Sequence, residues 1–150
     1  MVILSKLADY GVIVATHMAA DPHRQLTAAA VADEVRLPRA TAAKILKALA
    51  HARLVTATRG AMGGYRLARD ARDISVAEVV AAIDGAIGLT QCSVHVAECT
   101  RTLYCPTRPH WTAINRAVEA ALAAVSLDAM LTPAAFVPRP LAATTQPAAN

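Results

Sequence analysis

Aromatic residues make up only 3% of this 150-residue chain, one Trp, three Tyr and one Phe. Proteins that grip single-stranded nucleic acid stack the bases on several exposed rings, so that mode is excluded and a duplex is the nucleic-acid partner left to weigh. Uncharged apolar runs of the roughly 20 residues a spanning helix needs are also lacking. The mean hydropathy of +0.37 and the 55% hydrophobic content come largely from alanine, and no membrane association is expected. No Cys-x-x-Cys pair suggests a redox enzyme, and no cysteine opens a helix beside a placed His and acid as in a thiol hydrolase, so catalysis is not expected. Gly60, Gly63 and Gly64 precede a strand-like segment and cannot open a helix onto a phosphate. No repeat of solenoid period is present. Lys6 and Asp9 interrupt the apolar start, Met1 to Ala20, which is therefore read as a mature first helix rather than a leader. With an odd number of cysteines, this points to a reducing cytoplasm and against a disulfide framework.

What is present is a basic chain of one ordinary domain plus an extension, with a formal charge of +4 and a pI near 9.3. That charge allows an anionic partner, and its distribution decides whether there is one. Ser5 is placed to cap a helix to about Ala20, closed by Asp21-Pro22. Thr27 caps a short helix ending near Val35. After the turn Arg36-Leu37-Pro38 a second helix runs to about Ala52, and the pair has the outline of a helix-turn-helix. A step of about 100° per residue puts Ala42, Ile45, Leu46 and Leu49 on one face of it and Ala40, Lys44, Lys47 and His51 on the other. Strand-formers Leu54 to Thr58, the turn Arg59 to Gly64 and the strand Tyr65 to Ala68 predict a β-hairpin wing. Ser75 caps a further helix to about Asp84, stopped by Gly85 and Gly88. From near Pro109 to Val125 a long helix carries Trp111, Ile114, Val118, Leu122 and Val125 as one apolar stripe, the pattern of a helix that meets a partner helix. From about Thr132 the chain is Pro- and Ala-rich and reads as disordered.

A helix-turn-helix followed by a wing can lay one helix in the major groove while the hairpin reaches the adjacent minor groove or backbone. An Arg beside glycines, here Arg59, suits a narrow minor groove. Lys6, Arg39, Thr41, Lys44 and Lys47 are the further candidate DNA contacts. A protein-interaction role for the same fold remains the other reading.

The only cysteines, Cys92, Cys99 and Cys105, fall within fourteen residues. The spacing Cys-x6-Cys-x5-Cys is not the paired spacing of structural zinc, whereas iron–sulfur ligation tolerates it. Three thiolates leave one coordination position for a different ligand, and His95 and His110 are nearby. Burial of the thiols as small apolar groups is the competing reading.

Three motifs together resemble a known family: Leu4-Ser5-Lys6-x-x-Asp9-Tyr10, the wing Arg59-Gly60-x-x-Gly63-Gly64-Tyr65-Arg66-Leu67, and three cysteines following Ile83-Asp84-Gly85. The chain resembles the Rrf-type regulators, the family of IscR and NsrR, over roughly residues 1 to 130. Cys105-Pro106-Thr107-Arg108-Pro109-His110-Trp111 and Ile114-Asn115-Arg116-Ala117 look most like the branch that regulates the SUF iron–sulfur assembly system. The resemblance implies a homodimeric winged-helix transcription factor whose long helix crosses its mate. It also implies an iron–sulfur cluster, of 2Fe–2S or 4Fe–4S type, on Cys92, Cys99 and Cys105. Some members complete the site with a His three residues after the last Cys, where this chain has Arg108. Others use an Asp from the partner's first helix, a position that Asp9 matches, and Asp9 is preferred to the displaced His110.

The expectation is therefore a mainly α fold with a small β-hairpin wing: a winged helix-turn-helix at 1–84, a cysteine cluster-binding loop at 85–108, a dimerisation helix at 109–131 and a tail at 132–150. The expected role is a cytoplasmic regulator that binds a double-stranded operator and controls SUF genes according to cluster status or redox state. A nitric-oxide or redox sensor of the same fold, a cluster-free winged-helix regulator and an iron–sulfur carrier are the alternatives.

Overall fold

The computed structural model describes residues 4–90, 93 and 104–132. Helix α1 (Lys6–Ala19) starts where expected, the Ser5 hydroxyl accepting from the Ala8 N–H at 3.0 Å. Its Ala8, Val14, Ala15 and Met18 turn inward. Helix α2 (Ala28–Val35) is capped by Thr27, whose hydroxyl accepts from the Ala30 N–H at 3.1 Å. It ends on Arg36 in the left-handed region, φ 57°, with the Leu37 N–H donating to the Ala32 carbonyl at 2.9 Å. A non-glycine residue there costs roughly 1–2 kcal/mol, which the fold tolerates to turn the chain sharply into the next helix.

Helix α3 (Arg39–His51) buries Ala42, Ile45, Leu46 and Leu49 completely and leaves Ala40, Lys44, Lys47 and His51 exposed, the division its periodicity predicts. Around Ile45, Leu46 and Leu49 pack Val14, Val31, Ile74, Val79 and Leu127, all without exposed surface. This is the main core.

The wing consists of β1 (Val55–Thr58) and β2 (Gly64–Leu67), antiparallel, with Val55 opposite Leu67 and Thr58 opposite Gly64. The second strand thus begins at Gly64, one residue before the sequence suggested. Gly64 joins it by pairing with Thr58, and the strand has a third partner that sequence reasoning missed: Leu26 exchanges backbone hydrogen bonds with Tyr65, at 2.9 and 2.7 Å. A Cβ at position 64 would stand 2.7 Å from the Leu26 carbonyl oxygen, so only glycine admits this approach. The wing is thereby stitched to the segment just before α2.

After a 3-10 turn (Ala71–Asp73), α4 (Val76–Asp84) opens with a complete capping box between Ser75 and Glu78. Partial burial alone would raise the Glu78 carboxyl. Hydrogen bonds from the Ser75 N–H, the Arg69 guanidinium and the Ser75 hydroxyl outweigh it and hold the group below the ordinary glutamate value. At its far end Asp84 accepts from the Ser5 hydroxyl at 2.6 Å, fastening the end of α4 to the start of α1.

The segment read as one dimerisation helix, 109–131, is divided in the structure. Helix α5 (Arg108–Ala123) stops, the chain turns, and a short helix α6 (Leu127–Met130) docks back on the winged-helix core. The Leu127 N–H donates to the Ile74 carbonyl and the Val76 N–H to the Val125 carbonyl, both at 2.9 Å, and the Leu127 side chain is fully buried. The apolar stripe divides likewise. Leu122 and Val125 pack at home against Ala8, Val76 and Val80, while Trp111 and Ile114 remain exposed at 39% and 44%. The boundary drawn at residue 84 therefore omits a residue of the core. The expected disordered tail lies, apart from Thr132, outside the described residues.

Candidate nucleic-acid interface

The third helix, the start of α2 and the wing enclose an open groove of about 550 Å³. Lys47 enters it from α3, Arg59 from the wing turn, and Thr27 and Ala28 from the head of α2. Neither Lys47 nor Arg59 has an ion-pair partner among the described residues, and both are exposed. The first N–H groups of a helix are unsatisfied and carry its positive end, so α2 adds to the field of the two cations. Sequence reasoning singled out Lys47 and Arg59 but missed Thr27, whose signal was available in the cap itself.

The other candidates sit apart from the groove lining. Arg39, Thr41 and Lys44 lie along α3, with Arg39 and Lys44 exposed and Thr41 half-buried. The Arg39 guanidinium stands 3.3 Å from the Asp33 carboxylate, an exposed pair of the kind worth about 0–1 kcal/mol and easily exchanged for a phosphate. Lys6 is exposed in the first turn of α1 and does not line the groove. Behind α2, Glu34 accepts from Arg24 at 2.8 Å and contacts His17 Nε2 at 2.7 Å. The Arg24 hydrogen bonds first, then that of His17, hold its carboxyl below the usual range. This exposed network ties α2 to α1 and to the loop between them.

The groove separates two kinds of contact. Arg59→Ala should weaken binding to a selected duplex by about 1–3 kcal/mol, whereas Lys47→Ala should weaken all duplexes alike and lower the salt slope by about one. Titration of both variants against selected and random DNA at several salt concentrations checks this. Equal losses on both duplexes for both variants would reduce Arg59 to a phosphate contact.

Of the expected metal-binding residues, Cys105 is half-buried just before α5, its Sγ 3.3 Å from the Thr107 hydroxyl. Asp9 is exposed on α1, its side chain without a hydrogen bond or ion pair among the described residues, and His110 is exposed in the first turn of α5. Cys92, Cys99 and His95 lie outside the described residues. Among the described residues no three His, Cys, Asp or Glu side chains gather as a metal site. The approach to the cysteine segment is held by a residue whose role the sequence did not reveal. Asn115, 5% exposed on an otherwise open helix, accepts from the Leu89 N–H at 3.0 Å and donates to the Ile87 carbonyl at 2.9 Å. The chain leading into the cysteine segment thus rests on α5. No helix among the described residues is long and apolar enough to cross a membrane.

Residues 4–133 match the family model Rrf2, described as an iron-dependent transcriptional regulator. The HTH-type transcriptional regulator IscR of Photobacterium profundum is 33% identical over 88 residues, which are 59% of this chain and 51% of that protein. The chain spans about half the length of such relatives. Among solved structures, the global cysteine regulator CymR of B. subtilis superposes with a TM-score of 0.68 at 21% identity, covering 87% of this chain and 97% of that one. IscR of T. potens superposes with a TM-score of 0.66 at 24% identity over 87% of this chain and 86% of its own. At such identities the two structures speak for the fold, a winged helix.

Proposed function

This chain belongs to the Rrf2 family of transcriptional regulators, and from that premise we propose that it is a homodimeric, cytoplasmic repressor or activator that senses iron–sulfur cluster status or redox state and controls SUF assembly genes. The observation that carries the DNA half of this reading is the groove in which Lys47, Arg59 and the head of α2 converge. A duplex groove offers the phosphates and the narrow negative channel that such an arrangement complements. The family's known relatives are transcriptional regulators, not enzymes.

The sensing half rests on the donor set. Cys92, Cys99 and Cys105 would supply thiolates, and Asp9 a carboxylate from the partner subunit. The described residues suit that assignment: Cys105 is half-buried rather than sealed in the core, and the Asp9 carboxylate is exposed and uncommitted within its own subunit. Bound there, an iron–sulfur cluster supplies a group that responds to oxygen, oxidants and iron supply. A hard carboxylate among soft thiolates makes the weakest ligand of the four, so the chain's own ligand choice favours release. Exposed Trp111 and Ile114 would meet the partner's α5. A ligand given across that interface ties α1 of one subunit to the cysteine segment of the other, and so links ligand occupancy to the spacing of the two α3 helices, which must match half-sites about 34 Å apart.

A mixed dimer tests the crossing directly. With Asp9→Ala on one subunit and all three cysteines replaced on the other, donation across the dimer leaves one site of wild-type spectrum and air stability, and donation within a subunit leaves none. An Asp9→Ala homodimer indistinguishable from wild type would remove Asp9 from the site and turn attention to His110.

A further inference from the structure

The wing ends in a turn that presents an apolar side chain to solvent. The Gly63 N–H donates to the Gly60 carbonyl at 2.9 Å, which leaves Ala61 and Met62 at the tip, and Met62 is 90% exposed. It is the most exposed large apolar side chain among the described residues. The turn is built to hold it there. A Cβ on Gly63 would overlap the Thr58 carbonyl oxygen and stand 2.8 Å from that of Gly60, and Gly60 has a φ of 111°, so both glycines serve the tight reversal. From Leu54 to Ala68 the hairpin carries Arg59 and Arg66 and no carboxylate. A cationic projection with a flexible apolar end suits a channel with anionic rims and apolar walls.

We propose that Met62 is a specificity-determining contact of the wing: it enters the minor groove beside Arg59, packs on the sugar walls, and favours sites whose base steps open easily there. The proposal rests on the reading of the wing as a DNA contact and adds what the tip recognises. Arg59 answers to groove width and potential, whereas an apolar tip answers to deformability, because pyrimidine–purine steps unstack at least cost and apolar wedges exploit that. Methionine suits the task because its unbranched thioether adapts to an irregular surface. A duplex is a better occupant than an anionic bilayer, since Lys47 of α3 shares one groove with Arg59 of the wing turn.

The test compares Met62→Gln and Met62→Leu with wild type and with Arg59→Ala, using a duplex that the wild-type protein selects from a random-sequence library and an unselected duplex of equal length. An exposed tip makes no core contact, so thermal melts of both Met62 variants should overlay wild type. Met62→Gln should bind the selected duplex about tenfold more weakly, with the salt slope unchanged because no counterion contact is lost, while Met62→Leu stays near wild type. The bend of the selected duplex, read by end-to-end fluorescence transfer, should fall for Met62→Gln only. Wild-type affinity and bending in Met62→Gln, with Arg59→Ala impaired, would overturn the role of Met62 and leave the wing reading standing. If neither variant changes binding, the wing itself does not meet DNA. Sedimentation of wild type but not Met62→Gln with phosphatidylglycerol vesicles, with DNA binding equal, would assign the tip to a lipid surface and overturn the proposal.

Discussion

Cys105→Ala is expected to abolish the iron and sulfide content of protein isolated without air, while the variant melts within a few degrees of wild type, and Cys92→Ala and Cys99→Ala are expected to do the same. The effect is all-or-none because one lost thiolate leaves at most two protein sulfurs to hold the cluster. The fold should be indifferent for a separate reason. Cys105 belongs to neither cluster of buried apolar residues, and substitutions outside such features usually change stability by no more than about 0.5 kcal/mol. Iron, acid-labile sulfide and visible absorbance, measured beside a thermal melt, check both halves. The same variants should bind the selected duplex with an affinity that no longer changes on exposure to oxidant. Wild-type protein that carries stoichiometric zinc and no sulfide, made in iron-replete anaerobic cells, would overturn the cluster assignment.

The winged-helix part of the fold was legible because its signals are local. Ser5, Thr27 and Ser75 each precede an apolar periodic run, and each caps its helix through a side-chain hydrogen bond. The four inward residues of α3 follow from a 3.6-residue period alone. What the sequence hid is what depends on contacts between distant residues. Leu26 looks like a loop residue until Tyr65 pairs with it, 39 positions on. Asn115 reads as one polar residue on a helix surface, yet its partners at Ile87 and Leu89 make it the clamp of the preceding loop. In the candidate interface, Lys47 and Arg59 stood out by charge, but their meeting in one groove with Thr27 required the wing to fold over α3. The stripe from Trp111 to Val125 looks like a single partner-facing surface because periodicity cannot distinguish a neighbour in the same chain from one in another.

Leu127 makes the last point measurable. Its side chain is fully buried beside Ile74, although more than forty residues, the whole cysteine segment and α5 separate it from α4. Leu127→Ala removes three buried carbons from a packed site and should cost about 2–5 kcal/mol, a large share of the roughly 5–15 kcal/mol that holds a domain together. At about 4 °C per kcal/mol for a domain of this size, the melting midpoint should fall by roughly 8–20 °C. Met130→Ala, at an exposed position on the same short helix, should change it by no more than about 2 °C, which separates core packing from helix propensity. A fragment ending at Asp84 would lack the Leu127 plug and both backbone bonds that Ile74 and Val76 make to Leu127 and Val125, and should show no cooperative melt. If that fragment melts as sharply and as high as the full chain, the DNA-binding unit is complete without α6, and the return of the chain after α5 has no part in holding it. If it does not, the short helix that follows α5 is part of the DNA-binding unit, and Leu127 packed beside Ile45, Leu46 and Leu49 is what holds α3 in place.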